Sequence, residues 1–317
     1  MKVTFLGTSG AVPTTERNPS ALLIAREGDR LLFDCAEGTQ RQMMRYGTGF
    51  DVEHVFVTHL HGDHVLGLPG LTQTWDFNDR EVPLAVHSPA GTRKRVETLL
   101  GATGQRPSYP VRVSQVEPGD VVLDREGYEV RAFAVEHRTD AVGYALVEDD
   151  RKGRFDRERA EEEFGIPPGP KYSKLHEGQP VEHDGRVVQP EEVVGPPRPG
   201  RRVVYTGDTR PTDSTIEAAA NADLLVHDGT FGEDHRERAR QTAHSTAREA
   251  AETATAAGAK GLALTHVSTR YTGRTHQLES QAADAFDGRV FVADDGMQVR
   301  VPYPDAGENL RIDRPDR

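Results

Sequence analysis

Short apolar runs separated by polar punctuation dominate the first half of the chain. Runs at 2–7, 21–25, 30–35, 54–58, 83–87, 111–113, 120–123, 128–135 and 144–147 predict strands. Helical periodicity predicts helices at 39–46, 92–100, 212–221, 244–257 and 276–286. The fourth is rich in alanine and stops before Gly258, a residue suited to a C-cap. Strands interleaved with helices imply a layered α/β fold. From about 149 to 200 the pattern changes to glycine, proline and charge, from Pro167 and Pro168 through Pro197 and Pro199. A structureless loop of that length is uncommon inside a compact domain, so part of it is expected to project as an arm. The core resumes at Arg202 with strands alternating with helices. The expectation is a single domain over 1–317 with an arm inserted within about 149–200, and a polar, frayed tail from Asp305 to Arg317.

Composition narrows the setting. Hydrophobic residues make up 35% of 317 positions and the mean hydropathy is −0.64. No apolar run is long enough to span a bilayer, and strand-like sequence begins at Val3, so the expected compartment is the cytoplasm, away from any membrane. The single cysteine, Cys35, excludes an internal disulfide and is expected to be a small buried hydrophobe. Asp and Glu total 51 against 39 Lys and Arg, a net charge of −12, and only six of the basic residues are lysines. Such an acidic, lysine-poor chain suits a cell interior of molar salt, where screening shortens self-repulsion to about 3 Å. Acidity opposes nucleic-acid binding unless basic groups are locally clustered. Arg151-Lys152-Gly153-Arg154, Arg157, Arg159, Lys171 and Lys174 form such a cluster along the predicted arm.

The sharpest chemical signal is His59-Leu60-His61-Gly62-Asp63-His64, directly after Val55-Phe56-Val57. A strand end feeding a glycine-containing loop can aim several side chains at one point. Imidazoles with carboxylates suit zinc, and also manganese or iron, better than calcium or magnesium. Other apolar runs end in similar donors: His137 after 132–135, Asp208 after 203–205, and His266 after 262–264. Gly7-Thr8-Ser9-Gly10 reads as a tight turn under this site, and His54, His87, His176, His183, His235 and His276 read as non-ligands. Trp75 and Phe77 are expected to pack in the core.

These residues resemble the metallo-β-lactamase superfamily and, within it, the ribonuclease Z family, which trims the 3′ ends of precursor tRNA. The likeness runs from Phe5-Leu6-Gly7-Thr8-Ser9-Gly10 through the histidine motif to Leu264-Thr265-His266-Val267-Ser268-Thr269-Arg270-Tyr271. Three pieces are similar to that family in particular. They are Pro13 to Asn18, the arm segments Phe164 to Pro170 and Lys174 to Gly178, and Ala243-His244-Ser245-Thr246. The fold implied is an αββα sandwich, two mixed sheets face to face with helices outside, plus the protruding arm.

The resemblance implies two Zn2+ per subunit, with Mn2+ or Fe2+ acceptable to the same donors. One metal would take His59, His61 and His137; the other Asp63, His64 and His266; Asp208 would bridge them. Asp63 would orient the attacking water and accept its proton, and His244 would protonate the leaving ribose 3′ oxygen. Where the family commonly reads H-E-A-T this chain has His227-Asp228-Gly229-Thr230, so Asp228 would support His244 with a side chain one methylene shorter. Candidate substrate contacts are Arg17, Arg151, Lys152, Arg154, Gly169 and Arg270. The resemblance also implies a homodimer in which one subunit's arm grips tRNA for the other's site. Two other readings stay open on sequence grounds: a small-molecule phosphodiesterase on the same scaffold, and an RNA-binding protein that keeps its metal for structure.

Overall fold

The computed structural model describes residues 1–315. Six strands open the chain: β1 (Lys2–Gly7), β2 (Ala21–Arg26), β3 (Asp29–Phe33), β4 (His54–Phe56), β5 (Leu84–Pro89) and β6 (Val111–Val116). Next come β7 (Val121–Arg125), β8 (Tyr128–Ala134) and β9 (Val142–Glu148), then a hairpin of β10 (Val181–His183) and β11 (Arg186–Val188). The chain closes with β12 (Arg202–Tyr205), β13 (Leu224–Asp228), β14 (Gly261–Thr265), β15 (Arg289–Val292), β16 (Gln298–Arg300) and β17 (Arg311–Asp313). Two mixed sheets result, in the orders β17-β16-β1-β2-β3-β4-β5-β6 and β15-β14-β13-β12-β9-β8-β7.

Alternation along the strands decides how the sheets face. Phe5, Phe33, Phe56, Tyr144, Tyr205 and Phe291 point inward into one buried cluster between the sheets. Phe33 and Phe56 stack there at 4.8 Å, and Tyr144 meets Phe56 edge-on at 5.4 Å. The opposite residues of the same strands pack on helices. Leu23, Leu32 and Val55 join Leu68, Leu71 and Trp75 on one outer face, while Val204, Leu225 and Leu264 join Ala250, Ala254 and Leu278 on the other. Sandwich and outer helices are therefore one consequence of strands buried on both faces.

Several local expectations change. A helix at Leu68–Phe77 falls where none was expected: Pro69 suits its first turn, and Leu68, Leu71, Thr72 and Trp75 are its buried face. Trp75 is buried in it, but Phe77 at its end is 87% exposed, so the core reading fails for that ring. The helix expected at 244–257 begins at Ala247, because Thr246 caps it and pairs with Glu249 in a reciprocal capping box. His244 consequently lies outside the helix, in a turn opened by Ala243 at φ 56°. The tail is not frayed throughout: β17 pairs with β16, and Asp305 is held by three arginines; residues 316–317 lie outside the described range. The segment between β9 and β12 carries its own small core of Ala160, Phe164, Ile166, Leu175, Val188 and Val193. No helix among the described residues is long and apolar enough to cross a membrane.

Candidate metal centre

Every expected ligand lies just past the C-terminal end of a strand, all at the same edge of the sandwich: β4 for His59 to His64, β8 for His137, β12 for Asp208 and β14 for His266. Open α/β sheets place their ligands at this edge. The approach is tight enough to demand glycine. A Cβ on Gly10 would lie 2.7 Å from the His266 ring, and one on Gly207, at φ 60°, would lie 2.8 Å from the Thr58 side chain. His266 itself adopts φ 59°, a conformation costly for a histidine and held here by its surroundings.

The donors form two sets sharing one carboxylate. His59, His61, His137 and Asp208 converge in one, and Asp63, His64 and His266 in the other. The two oxygens of Asp208 divide between them. Oδ2 lies 3.6 Å from His59 Nε2 and 3.9 Å from His137 Nε2, whereas Oδ1 lies 3.2 Å from His64 Nε2 and 3.3 Å from His266 Nε2. His59 Nε2, His61 Nδ1 and His137 Nε2 crowd to 2.9 and 3.2 Å.

The outward ring nitrogens fix the tautomers. His64 Nδ1 donates to Asp34 Oδ2 at 2.7 Å, His137 Nδ1 to the Ala243 carbonyl at 3.0 Å, and His266 Nδ1 to Thr230 Oγ1 at 2.8 Å. His59 Nδ1 donates to Thr58 Oγ1 at 3.1 Å, whose own hydroxyl is turned to Asp34. Each of these four rings thus turns Nε2 inward, where a bound cation would take the place of a proton. His64 Nε2 and Asp208 Oδ1 are buried with no hydrogen-bond partner. Leaving buried polar atoms unpaired costs about 1–3 kcal/mol each, and a cation between them removes that cost. The donor set, its tautomers and its orphaned atoms fit two borderline-soft divalent ions.

Asp34 and Thr230 hold candidate ligands in place, and neither was singled out from the sequence. Asp34 holds His64, Thr58 and Tyr205 at once. Thr230 links His266 to Asp228 by donating to Asp228 Oδ1 at 2.6 Å. The only signal for Asp34 was a carboxylate ending an apolar run, and it was absorbed into the strand.

His244 stands beside the centre with its Nδ1 2.8 Å from Asp228 Oδ2. The shorter acid reaches because the Ala243 turn brings the imidazole to it. Asp228 also accepts from Thr209 N, Thr230 N and Thr230 Oγ1, which fixes its orientation, and with Asp208, His244 and His266 it forms a third group of donors. Burial alone would depress the His244 pKa, but Asp228 and then Asp208 outweigh it and lift it to about 9. Burial likewise opposes ionisation of Asp63, yet His266 and His64 hold its carboxyl well below the usual range. Its Oδ2 also accepts the Ala11 amide at 2.7 Å, from the loop after Gly7-Thr8-Ser9-Gly10.

A family model described as the metallo-beta-lactamase superfamily matches residues 14–184, and one described as a beta-lactamase superfamily domain matches 179–267. Ribonuclease Z of Haloarcula marismortui is 67% identical over 308 residues, spanning 97% of this chain and 99% of its own. Ribonuclease Z of Halobacterium salinarum is 62% identical over 307 residues, with 96% and 99% covered. This chain belongs to the ribonuclease Z family of the metallo-β-lactamase superfamily. The crystal structure of human tRNase Z, short form, superposes with a TM-score of 0.69 at 27% identity, covering 95% of this chain and 100% of that one.

Against this ribonuclease Z framework, the expected substrate contacts divide. Arg270 is exposed on a short turn, five residues past the β14 end, with no ion pair among the described residues. Lys152 and Gly169 are exposed too, Gly169 preceding the helix Pro170–His176 of the arm. Arg17 is spent internally: its guanidinium donates to Thr8 Oγ1, the Ala293 carbonyl and Asp294. Arg151 and Arg154 are also engaged, both on Asp305. These three arginines therefore have carboxylate partners within the chain, whereas Arg154 stays largely exposed.

Proposed function

We propose that the chain is a metal-dependent endoribonuclease that removes 3′ trailers from precursor tRNA, leaving a 3′ hydroxyl on the tRNA and a 5′ phosphate on the trailer. Family membership supports the tRNA substrate, and one observation carries the chemistry: Asp208 turns one oxygen to each of two converging donor sets. Zinc fits the imidazole-rich donors best, two ions per subunit, with manganese and iron accepted by the same ligands. Bound there, the pair supplies Lewis-acid polarisation of the phosphate and acidification of a water.

The chain's own residues do the rest. Asp63, fixed by the Ala11 amide, orients the attacking water and takes its proton. His244, kept protonated by Asp228, delivers a proton from Nε2 to the departing ribose 3′ oxygen. The arm between β9 and β12, with its own core, grips the tRNA, and Arg270 contacts the backbone beside the scissile bond. A homodimer in which one subunit's arm serves the other's centre belongs to this proposal on family resemblance, as does a cytoplasmic location.

Replacing residues 153–195 by a short linker separates this reading from a small-molecule phosphodiesterase. Precursor-tRNA cleavage should fall by at least about 10²-fold, as when remote binding energy is removed, while bis(4-nitrophenyl) phosphate hydrolysis persists. Undiminished tRNA cleavage would refute the arm's role.

A further inference from the structure

The arm leaves the core at the end of β9 and returns at the start of β12, so its direction is decided at a two-stranded neck. That neck is narrow. Arg151 and Arg198 exchange backbone hydrogen bonds of 2.7 and 2.8 Å, and a Cβ on Gly153 would lie 1.8 Å from the Gly195 carbonyl oxygen. The arm's apolar core begins farther out, and the neck residues 149–154 are exposed or half-buried apart from Gly153. Hydrophobic packing holds the arm together but does little to aim it.

Aiming falls to a segment that follows β16. The Tyr303 ring lies between two guanidinium groups, 3.6 Å from that of Arg151 and 4.0 Å from that of Arg201. Arg201 also donates to the Tyr303 hydroxyl at 3.2 Å and forms a bidentate pair with buried Glu148. The Asp305 carboxylate receives Arg151, Arg154 at 3.4 Å and Arg198 at 3.3 Å. Both strands of the neck, outgoing and returning, are therefore fastened to one aromatic ring and one carboxylate.

We propose that Tyr303 and Asp305 are positioning residues, a brace that fixes the arm's direction and hence where it presents tRNA to a metal centre. The proposal rests on the reading that the arm grips tRNA. Without the brace the arm samples other directions, and apparent affinity falls by the fraction of chains correctly aimed.

The test compares Tyr303→Ala, Asp305→Asn and the double variant in the full chain. KM and kcat are measured for precursor tRNA, with bis(4-nitrophenyl) phosphate turnover and metal content alongside. If the aimed fraction drops to about a tenth, KM for tRNA rises about tenfold while the other three readouts stay at wild type. Tyr303→Phe keeps the ring and should remain within about twofold of wild type, as expected for a cation–π clamp. An unchanged KM in the double variant overturns the brace, and so does a parallel loss of both activities, which would make the segment part of the core fold. Deletion of the arm is the control. If it spares tRNA cleavage, the arm reading itself falls; if it abolishes cleavage while the double variant cleaves normally, only the brace falls.

Discussion

A buried imidazole that stays protonated needs a carboxylate against it, and His244 has Asp228 at 2.8 Å. With its pKa lifted by Asp228 against the effect of burial, His244 keeps its proton at neutrality and loses it on the alkaline side, where kcat should decline. Asp228→Asn removes the largest influence raising it. That variant should move the alkaline limb toward the ordinary imidazole range and lower kcat by about 10²-fold, with metal content intact. A pH–rate profile with metal analysis checks it; an unmoved limb, or equal loss of metal, contradicts the assignment. The candidate ligands that converge in the structure were legible in sequence because four of them share six positions and the others end apolar runs. Asp34 and Thr230 were not, since each acts on a ligand from a different strand end, His64 after β4 and His266 after β14. The internal pairing of Arg17 was hidden for the same reason: its partner Asp294 is 277 residues away in sequence.

Among elements, strand existence read well because fully buried strands leave unbroken apolar runs, whereas edges and short helices did not. The helix Leu68–Phe77 shows why: its buried residues have helical spacing, but Pro69 and Gly70 in its first turn are poor helix formers. The adjoining parallel pair β4–β5 carries a liability of its own. His54 Nδ1 meets His87 Nε2 at 3.0 Å, and His87 stacks on Phe56 at 4.8 Å. Burial, then His54, pushes the His87 pKa down to about 4 from 6.5. Below 6.5 an unfolded His87 takes up a proton that the folded chain refuses until about 4, so stability is lost as pH falls through that window. The loss amounts to about 3 kcal/mol at one site. Denaturant unfolding at pH 7 and pH 4.5 should show it, and His87→Gln should flatten the slope; an equal slope in that variant would place the acid sensitivity elsewhere.

At the scale of the molecule, the layered fold was legible from strands alternating with helices, and the change of pattern after Val147 marks the segment that packs its own small core, while the contacts at its neck were invisible because Asp305 opens a tail that read as frayed and Tyr303 lies just before it. The net charge of −12 on a lysine-poor chain predicts mutual repulsion at low ionic strength, where the Debye length is about 30 Å at 0.01 M. Its thermal midpoint should rise with salt up to about 1 M, and a midpoint indifferent to salt would remove the adaptation reading. The central claim is that seven side chains from four strand ends hold two divalent ions that cleave one bond of precursor tRNA. The most direct measurement is cleavage of a precursor tRNA by one preparation assayed metal-depleted and again after titration with zinc, with bound metal counted. The account predicts a single cut at the 3′ end of the acceptor stem that is absent without metal and reaches full rate at two ions per chain. Cleavage by the metal-depleted protein, or none with both ions bound, would contradict it.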